Sequence, residues 1–143
     1  MPRARQVRNA ATQPTRLVSA ESLRAFCTQV FERLGVSHDD ARITSDVLVL
    51  ADLRGIDSHG VARLSRYANY LRVGRARAQF EACVVHETST TAVMDGGAGL
   101  GPPIAYRAMQ LAISKARDSC VGFVSVRNSN HFGIAGYYAM MAL

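Results

Sequence analysis

Two histidines stand in polar loops, each followed closely by a glycine. His59 lies in Asp57-Ser58-His59-Gly60 and His131 in Asn128-Ser129-Asn130-His131-Phe132-Gly133. Imidazole titrates near neutrality, so either ring can take a proton from a hydroxyl or return one to a carbonyl. Arg63 follows His59 by four positions. Arginine grips a carboxylate through two parallel hydrogen bonds. A proton-handling histidine beside such an arginine suits a 2-hydroxy or 2-oxo acid. Each residue also has a plainer reading. His131 can be a helix-start residue bonded only to backbone. Arg63 can be a solvated helix-face arginine, as Arg66 and Arg72 read here. Tyr67, one turn after Arg63, can offer a phenolic hydrogen bond or simply pack.

Other arrangements fail on spacing. Asp57-Ser58-His59 are adjacent, whereas the members of a hydrolase triad converge from separated positions, and there is no GxSxG elbow. The glycine-rich stretch Gly96-Gly97-Ala98-Gly99-Leu100-Gly101 does not complete GxGxxG in either register, because Pro102 and Ile104 occupy the third glycine's place. It reads as a turn whose backbone N–H groups are candidates to face an active site. His38 and His86 read as surface or filler residues. Cys27, Cys83 and Cys120 are odd in number and contain no CxxC, which argues against a disulfide framework or a metal site. Cys27 and Cys120 read as small buried thiols, a pattern that fits a reducing cytoplasm.

The elements that must position these residues follow from periodicity. Ser19 caps an expected helix over 20–34, with Leu23, Phe26, Cys27, Val30, Phe31 and Leu34 at helical spacing. Gly35 ends it. Ser37 caps a second helix that Gly55 stops, opened by His38-Asp39-Asp40. A loop over 56–60 leads to a third helix over 61–73. Short strands are expected at 80–86 and 91–95. A helix starting at Pro102-Pro103 runs to about residue 117. A buried strand covers 121–126, and a last helix opens near Gly133.

The chain has 143 residues, 48% of them apolar, enough for a packed core. There are 17 Lys+Arg against 11 Asp+Glu, a net charge of +6, and Lys115 is the single lysine. Four of the arginines, Arg3, Arg5, Arg8 and Arg16, stand in residues 1–16, which hold no acid. This stretch is expected to be a disordered basic tail. It has three readings: an extended start region, an Arg-rich transit-like segment, or a nucleic-acid arm, for which there are no supporting aromatic or lysine residues. No run of apolar residues is long enough for a membrane span.

The segments LADLRGIDSHGVARLSRY (50–67) and VRNSNHFGIAGYYAMMAL (126–143) resemble the malate/L-lactate dehydrogenase family of the non-Rossmann type. That group includes ureidoglycolate, sulfolactate and piperideine-2-carboxylate enzymes. The resemblance implies an α/β fold, with an N-terminal helical part followed by the start of a mixed α/β sandwich. It implies His131 as the catalytic acid/base and His59 as the second active-site histidine. Arg63, Ser58, Tyr67 and Asn128 fall on the substrate side, and Gly133 belongs to the same loop signature. NAD or NADP is the implied cofactor, a small 2-hydroxy or 2-oxo carboxylate the substrate, and a homodimer the working unit. Neither nucleic acid nor membrane is an expected partner. The expected organisation is a tail (1–16), a helical region with the substrate-side loop (17–76) and the start of an α/β domain (77–143). Residues 134–143 are apolar and carry no helix-ending signal, so the chain reads as an N-terminal portion with most cofactor-contacting segments beyond Leu143. The alternative is a non-catalytic remnant acting at most as a dimerisation or interaction module.

Overall fold

A computed structural model describes residues 17–143; the expected basic tail lies outside the described residues. Helix α1 (Ala20–Arg33) starts at Ser19, whose Oγ accepts the Ser22 N–H, and ends before Gly35 at φ +86°. Helix α2 (His38–Leu53) is capped by Ser37, whose hydroxyl accepts the Asp40 N–H, and Gly55 follows it at φ +70°. Both caps supply partners for donors that a helix start leaves bare.

The third helix begins at Val61, where it is expected, but its first turn is a 3-10 turn. Asp57–His59 and Val61–Arg63 form two 3-10 turns, and only Leu64–Arg72 continues as helix α3. Gly60, in the expected loop, has an extended backbone (φ −85°, ψ −153°) that separates the two turns. The Asp52 carboxylate accepts the Val61 N–H at 2.8 Å and sets that start.

Strands β1 (Cys83–Glu87) and β2 (Thr91–Asp95) pair antiparallel, with a bulge between Val84 and His86. Helix α4 (Gly101–Ser119) crosses over to β3 (Phe123–Arg127), which pairs parallel with β2. The sheet is therefore mixed, in the order β1-β2-β3. Helix α5 (Ala135–Ala139) and a 3-10 turn over Met140–Ala142 follow. The final helix starts later than Gly133 because Gly133 sits at φ +81°.

Two apolar clusters hold these layers together. Phe31, Val36, Ala41, Leu48, Tyr67, Tyr70, Ala76 and Leu100 fill the helical part. Met94, Ile104 and Ala108 join α4 to the sheet, with Phe80, Leu111 and Val124 against them. Asp40, almost fully buried, ties α2 to α4 through Arg107 at 2.5 Å. Lys115 ties α4 to the β1–β2 turn by donating to Glu87 at 3.0 Å and to the Thr88 carbonyl at 2.7 Å.

Two expectations on burial need correction. The strand at 121–126 is not buried: β3 is an edge strand, and Phe123 is 64% exposed. Its continuous apolar run marks a strand covered on both faces, whereas α4 covers one face here. Cys120 is not buried either. It sits at φ +65° where α4 ends, and this turn holds its thiol at the surface. Cys27 is fully buried, and all three cysteines are free.

Candidate active site

The structure brings the two histidines together across 72 positions of chain. Their rings stack with centroids 5.3 Å apart and planes inclined by 27°. His59 comes from the 3-10 turn after α2, and Ser58 Oγ lies 2.9 Å from its Nδ1. His131 comes from the loop after β3, and Tyr67 Oη lies 2.7 Å from its Nδ1. The same hydroxyl is 3.3 Å from the His131 carbonyl. Arg63, at the start of α3, donates from Nε to the Ser58 carbonyl at 2.6 Å. That bond folds the guanidinium back over the His59 turn and leaves its two Nη groups unengaged within the described residues.

Asn128 is placed differently. Its amide donates to Asp95 Oδ1 at 3.0 Å, away from the histidine pair, and its backbone is left-handed at φ +51°. His38 pairs with Glu32 at the surface, and His86 stands on the exposed strand β1.

Electrostatics favours a neutral His131 ring. Burial holds His131 below the ordinary imidazole value of 6.5, and the charges of Arg63, His59 and Arg66 push the same way. Burial likewise raises the Tyr67 phenol well above its usual range. Tyr67 therefore stays protonated near neutrality and serves as a hydroxyl, both donor and acceptor.

The glycine-rich loop has a structural task. Gly96 N–H donates to the Arg127 carbonyl, Ala98 N–H to the Asn128 carbonyl, Gly99 N–H to the Gly96 carbonyl, and Gly97 N–H to Asp95 Oδ1. These four N–H groups bond to protein, not toward a ligand, which answers the expectation that they face a site. Asn130 adds its own amide to the Gly99 carbonyl at 2.9 Å. A Cβ at Gly101 would overlap the carbonyl oxygens of Asn130 and His131. Gly96 and Gly101 face the loop that carries His131, whereas Gly97 and Gly99 lie against Glu81 and Phe80.

Asp52 and Asp95 are residues that spacing did not single out. Asp52 reaches nine positions ahead to Val61, and a Cβ at Gly60 would overlap its carboxylate. Asp95 binds Gly97 N–H, Arg127 and Asn128, and these donors lower its pKa. A carboxylate in the last turn of a helix, or at a strand end beside glycines, was the available signal. It is weak, because the partners are distant in sequence or lie in another loop. Among the described residues, no group of three His, Cys, Asp or Glu side chains could hold a metal ion, and no helix is long and apolar enough to cross a membrane.

Comparison with known proteins gives one consistent result. The chain is 48% identical over 125 residues to malate dehydrogenase from Pyrococcus horikoshii, covering 87% of this chain and 35% of that protein. The solved structure of that enzyme matches with a TM-score of 0.86. Sulfolactate dehydrogenase from Methanocaldococcus jannaschii matches at 42% identity and a TM-score of 0.86, covering 88% of this chain and 37% of that one. Malate dehydrogenase from Entamoeba histolytica matches at 40% identity and a TM-score of 0.87, covering 90% and 36%. The chain thus spans little more than a third of the length of these relatives. The sequence profile described as malate/L-lactate dehydrogenase matches residues 18–143, and the chain belongs to that family.

Proposed function

We propose that this chain forms the substrate half of a nicotinamide-dependent oxidoreductase that interconverts a small 2-hydroxy acid and its 2-oxo acid. The observation that carries the reading is the stacked His59–His131 pair with Tyr67 on His131 Nδ1. Nδ1 accepts the Gly133 N–H at 3.3 Å and lies 2.7 Å from Tyr67 Oη, so both fix the ring through that nitrogen and Nε2 is the one left to the substrate. That nitrogen takes the proton of the substrate C2 hydroxyl in oxidation and returns it to the carbonyl oxygen in reduction. Tyr67 and the Gly133 N–H hold the ring's orientation. The Nη groups of Arg63 hold the C1 carboxylate. His59 stacks on one face of the His131 imidazole, and Ser58 holds the His59 ring. Asn128 acts at one remove, by fixing the loop that carries His131.

The cofactor, NAD or NADP, accepts or supplies the hydride when bound. The proton-handling and carboxylate-gripping donor set fits the substrate of such a reaction, while four N–H groups of the glycine-rich loop, those of residues 96–99, are already bonded to protein. The two relatives described as malate or sulfolactate dehydrogenases support the substrate class. As the resemblance implies, the working unit in this proposal is a pair of chains, and the free cysteines suit a cytoplasmic setting.

The test is oxidation of NADH or NADPH by the purified chain with a panel of 2-oxo acids. Turnover abolished by His131→Ala supports the reading. Turnover that survives that substitution removes His131 from the chemistry. Absence of turnover with every pair returns the isolated chain to the remnant reading.

A further inference from the structure

The Gly133 N–H that steadies His131 Nδ1 has no fixed direction of its own. Gly133 sits at φ +81°, where a Cβ would overlap the Val47 side chain. Glycine takes either sign of φ at little cost, so the plane of the Phe132–Gly133 peptide is free to turn over unless something holds it. That peptide is trans, and its C=O and N–H point opposite ways. Whatever holds the Phe132 carbonyl therefore also aims the Gly133 N–H.

Tyr138 holds that carbonyl. It stands on α5, six residues after Phe132, and is 7% exposed. Its hydroxyl donates to the Phe132 carbonyl at 2.5 Å, with the Pro102 carbonyl a second neighbour at 3.5 Å. Burial raises the phenol above its usual range, so it remains a donor near neutrality. On the far side of the same peptide, the Gly133 N–H meets His131 Nδ1 at 3.3 Å. Packing accounts for the Tyr138 ring, whose centroid lies 5.7 Å from that of Phe132, and phenylalanine would pack there equally well. It does not account for the hydroxyl.

We propose that Tyr138 is a positioning residue for His131, its hydroxyl setting the Phe132–Gly133 peptide and hence the angle at which the imidazole presents Nε2. Tyr67 reaches Nδ1 directly from α3, whereas Tyr138 acts from α5 through one peptide plane. The inference rests on the reading of His131 as the acid/base and adds to it the residue that aims the ring.

The experiment compares the full wild-type chain with Tyr138→Phe and Tyr137→Phe. Tyr137, the neighbouring tyrosine of α5, donates to Asp46 on α2 at 2.9 Å. Its variant also loses one hydrogen bond of α5, but none at the His131 loop. Measured are exchange of the Gly133 amide, the nitrogen-15 shifts of the His131 ring, and the response of both histidines to malate, with thermal melts to establish folding. Tyr138→Phe speeds Gly133 exchange and weakens malate by about tenfold each, the worth of one hydrogen bond, and moves the His131 Nδ1 signal. Tyr137→Phe lowers the melting temperature and leaves all three readings at their wild-type values. Equal displacement of His131 in both variants means that packing of α5 aims the ring, and overturns the proposal. Unchanged Gly133 and His131 signals in Tyr138→Phe also overturn it, and leave the dehydrogenase reading standing if malate still moves the histidines. Without any variant, a wild-type Gly133 amide that exchanges as fast as in an unfolded chain overturns it too. If malate moves neither histidine of the wild-type chain, the dehydrogenase reading falls, and the positioning role falls with it.

Discussion

Tyr67 Oη lies 2.7 Å from Nδ1 of His131, a contact between residues 64 positions apart in the chain. Tyr67 is also 1% exposed and a member of the helical core. A single side chain therefore anchors α3 in the apolar interior and orients the imidazole at the surface of that interior. The ring's orientation thereby depends on the packing of the helical layer.

Tyr67→Phe keeps the ring and removes the hydroxyl. Stability should fall by about 1 kcal/mol, the net worth of one hydrogen bond, as read from urea denaturation. The larger effect is on His131, whose Nδ1–H and Nε2–H forms should change in proportion. Nitrogen-15 shifts of the imidazole report this directly, and an unchanged tautomer balance would falsify the orienting role of Tyr67.

Gly60→Ala places a methyl on the Asp52 carboxylate. Overpacking of this kind costs about 1–3 kcal/mol. Asp52→Ala loses the partner of the Val61 N–H, at about 1 kcal/mol. The double variant should be more stable than the sum of the two losses predicts, because removing the carboxylate makes room for the methyl. Strict additivity in denaturation midpoints would mean that the two residues do not meet.

Gly101→Ala and Gly136→Ala separate two uses of glycine. At Gly101 a Cβ would overlap the Asn130 and His131 carbonyl oxygens, so the substitution should displace the His131 loop and the histidine signals with it. At Gly136, within α5, a Cβ meets nothing within 4 Å and φ is not positive. There alanine should stabilise by up to about 1 kcal/mol through helix propensity. Thermal melts and histidine spectra of the two variants distinguish them.

His131 should titrate below 6.5, chiefly because burial disfavours its charged form and secondarily because Arg63, His59 and Arg66 repel it. Arg66→Gln should move its midpoint part of the way back toward 6.5. The neutral ring accepts the hydroxyl proton, so the acid limb of the oxidation profile lies below 6.5. Reduction needs the protonated ring and declines as pH rises through the same depressed value. For folding the sign is the usual one for a depressed histidine. Between the depressed native value and 6.5 the unfolded chain holds a proton that the native chain lacks, so stability falls as pH is lowered through that window. Proton NMR titration and pH-dependent melts measure the two effects separately.

Thiol labelling should count two cysteines in the native chain. Cys83 and Cys120 are exposed, whereas Cys27 is fully buried and its thiol is pushed up to about 11 by burial and by the Asp52 charge. The third thiol should react only on unfolding. Rapid labelling of all three would contradict the packing of α1 against α2.

Much of this organisation is legible in the sequence because it depends on short-range physics. Ser19 and Ser37 cap the first helices, and Gly35 and Gly55 close them, because capping and positive φ are decided within a few residues. The strands begin within three residues of their expected starts, as alternation and apolar runs allow. The 3-10 form of the turns at 57–63 was not legible, because it depends on a carboxylate nine positions back from Val61. Nor was the exposure of β3, since an apolar run does not state how many of its faces are covered.

The sequence by itself determined which residues could do chemistry: His59, Arg63 and Tyr67 on one segment and His131 on another, in contexts specific enough to carry a family resemblance. Only the tertiary structure decided that the two histidines stack, that Tyr67 meets Nδ1, and that Asn128 turns to Asp95. Residue type and local spacing fix chemical potential and nearby geometry. The approach of two loops 72 positions apart is fixed by which apolar faces pack together, and no local pattern encodes that choice.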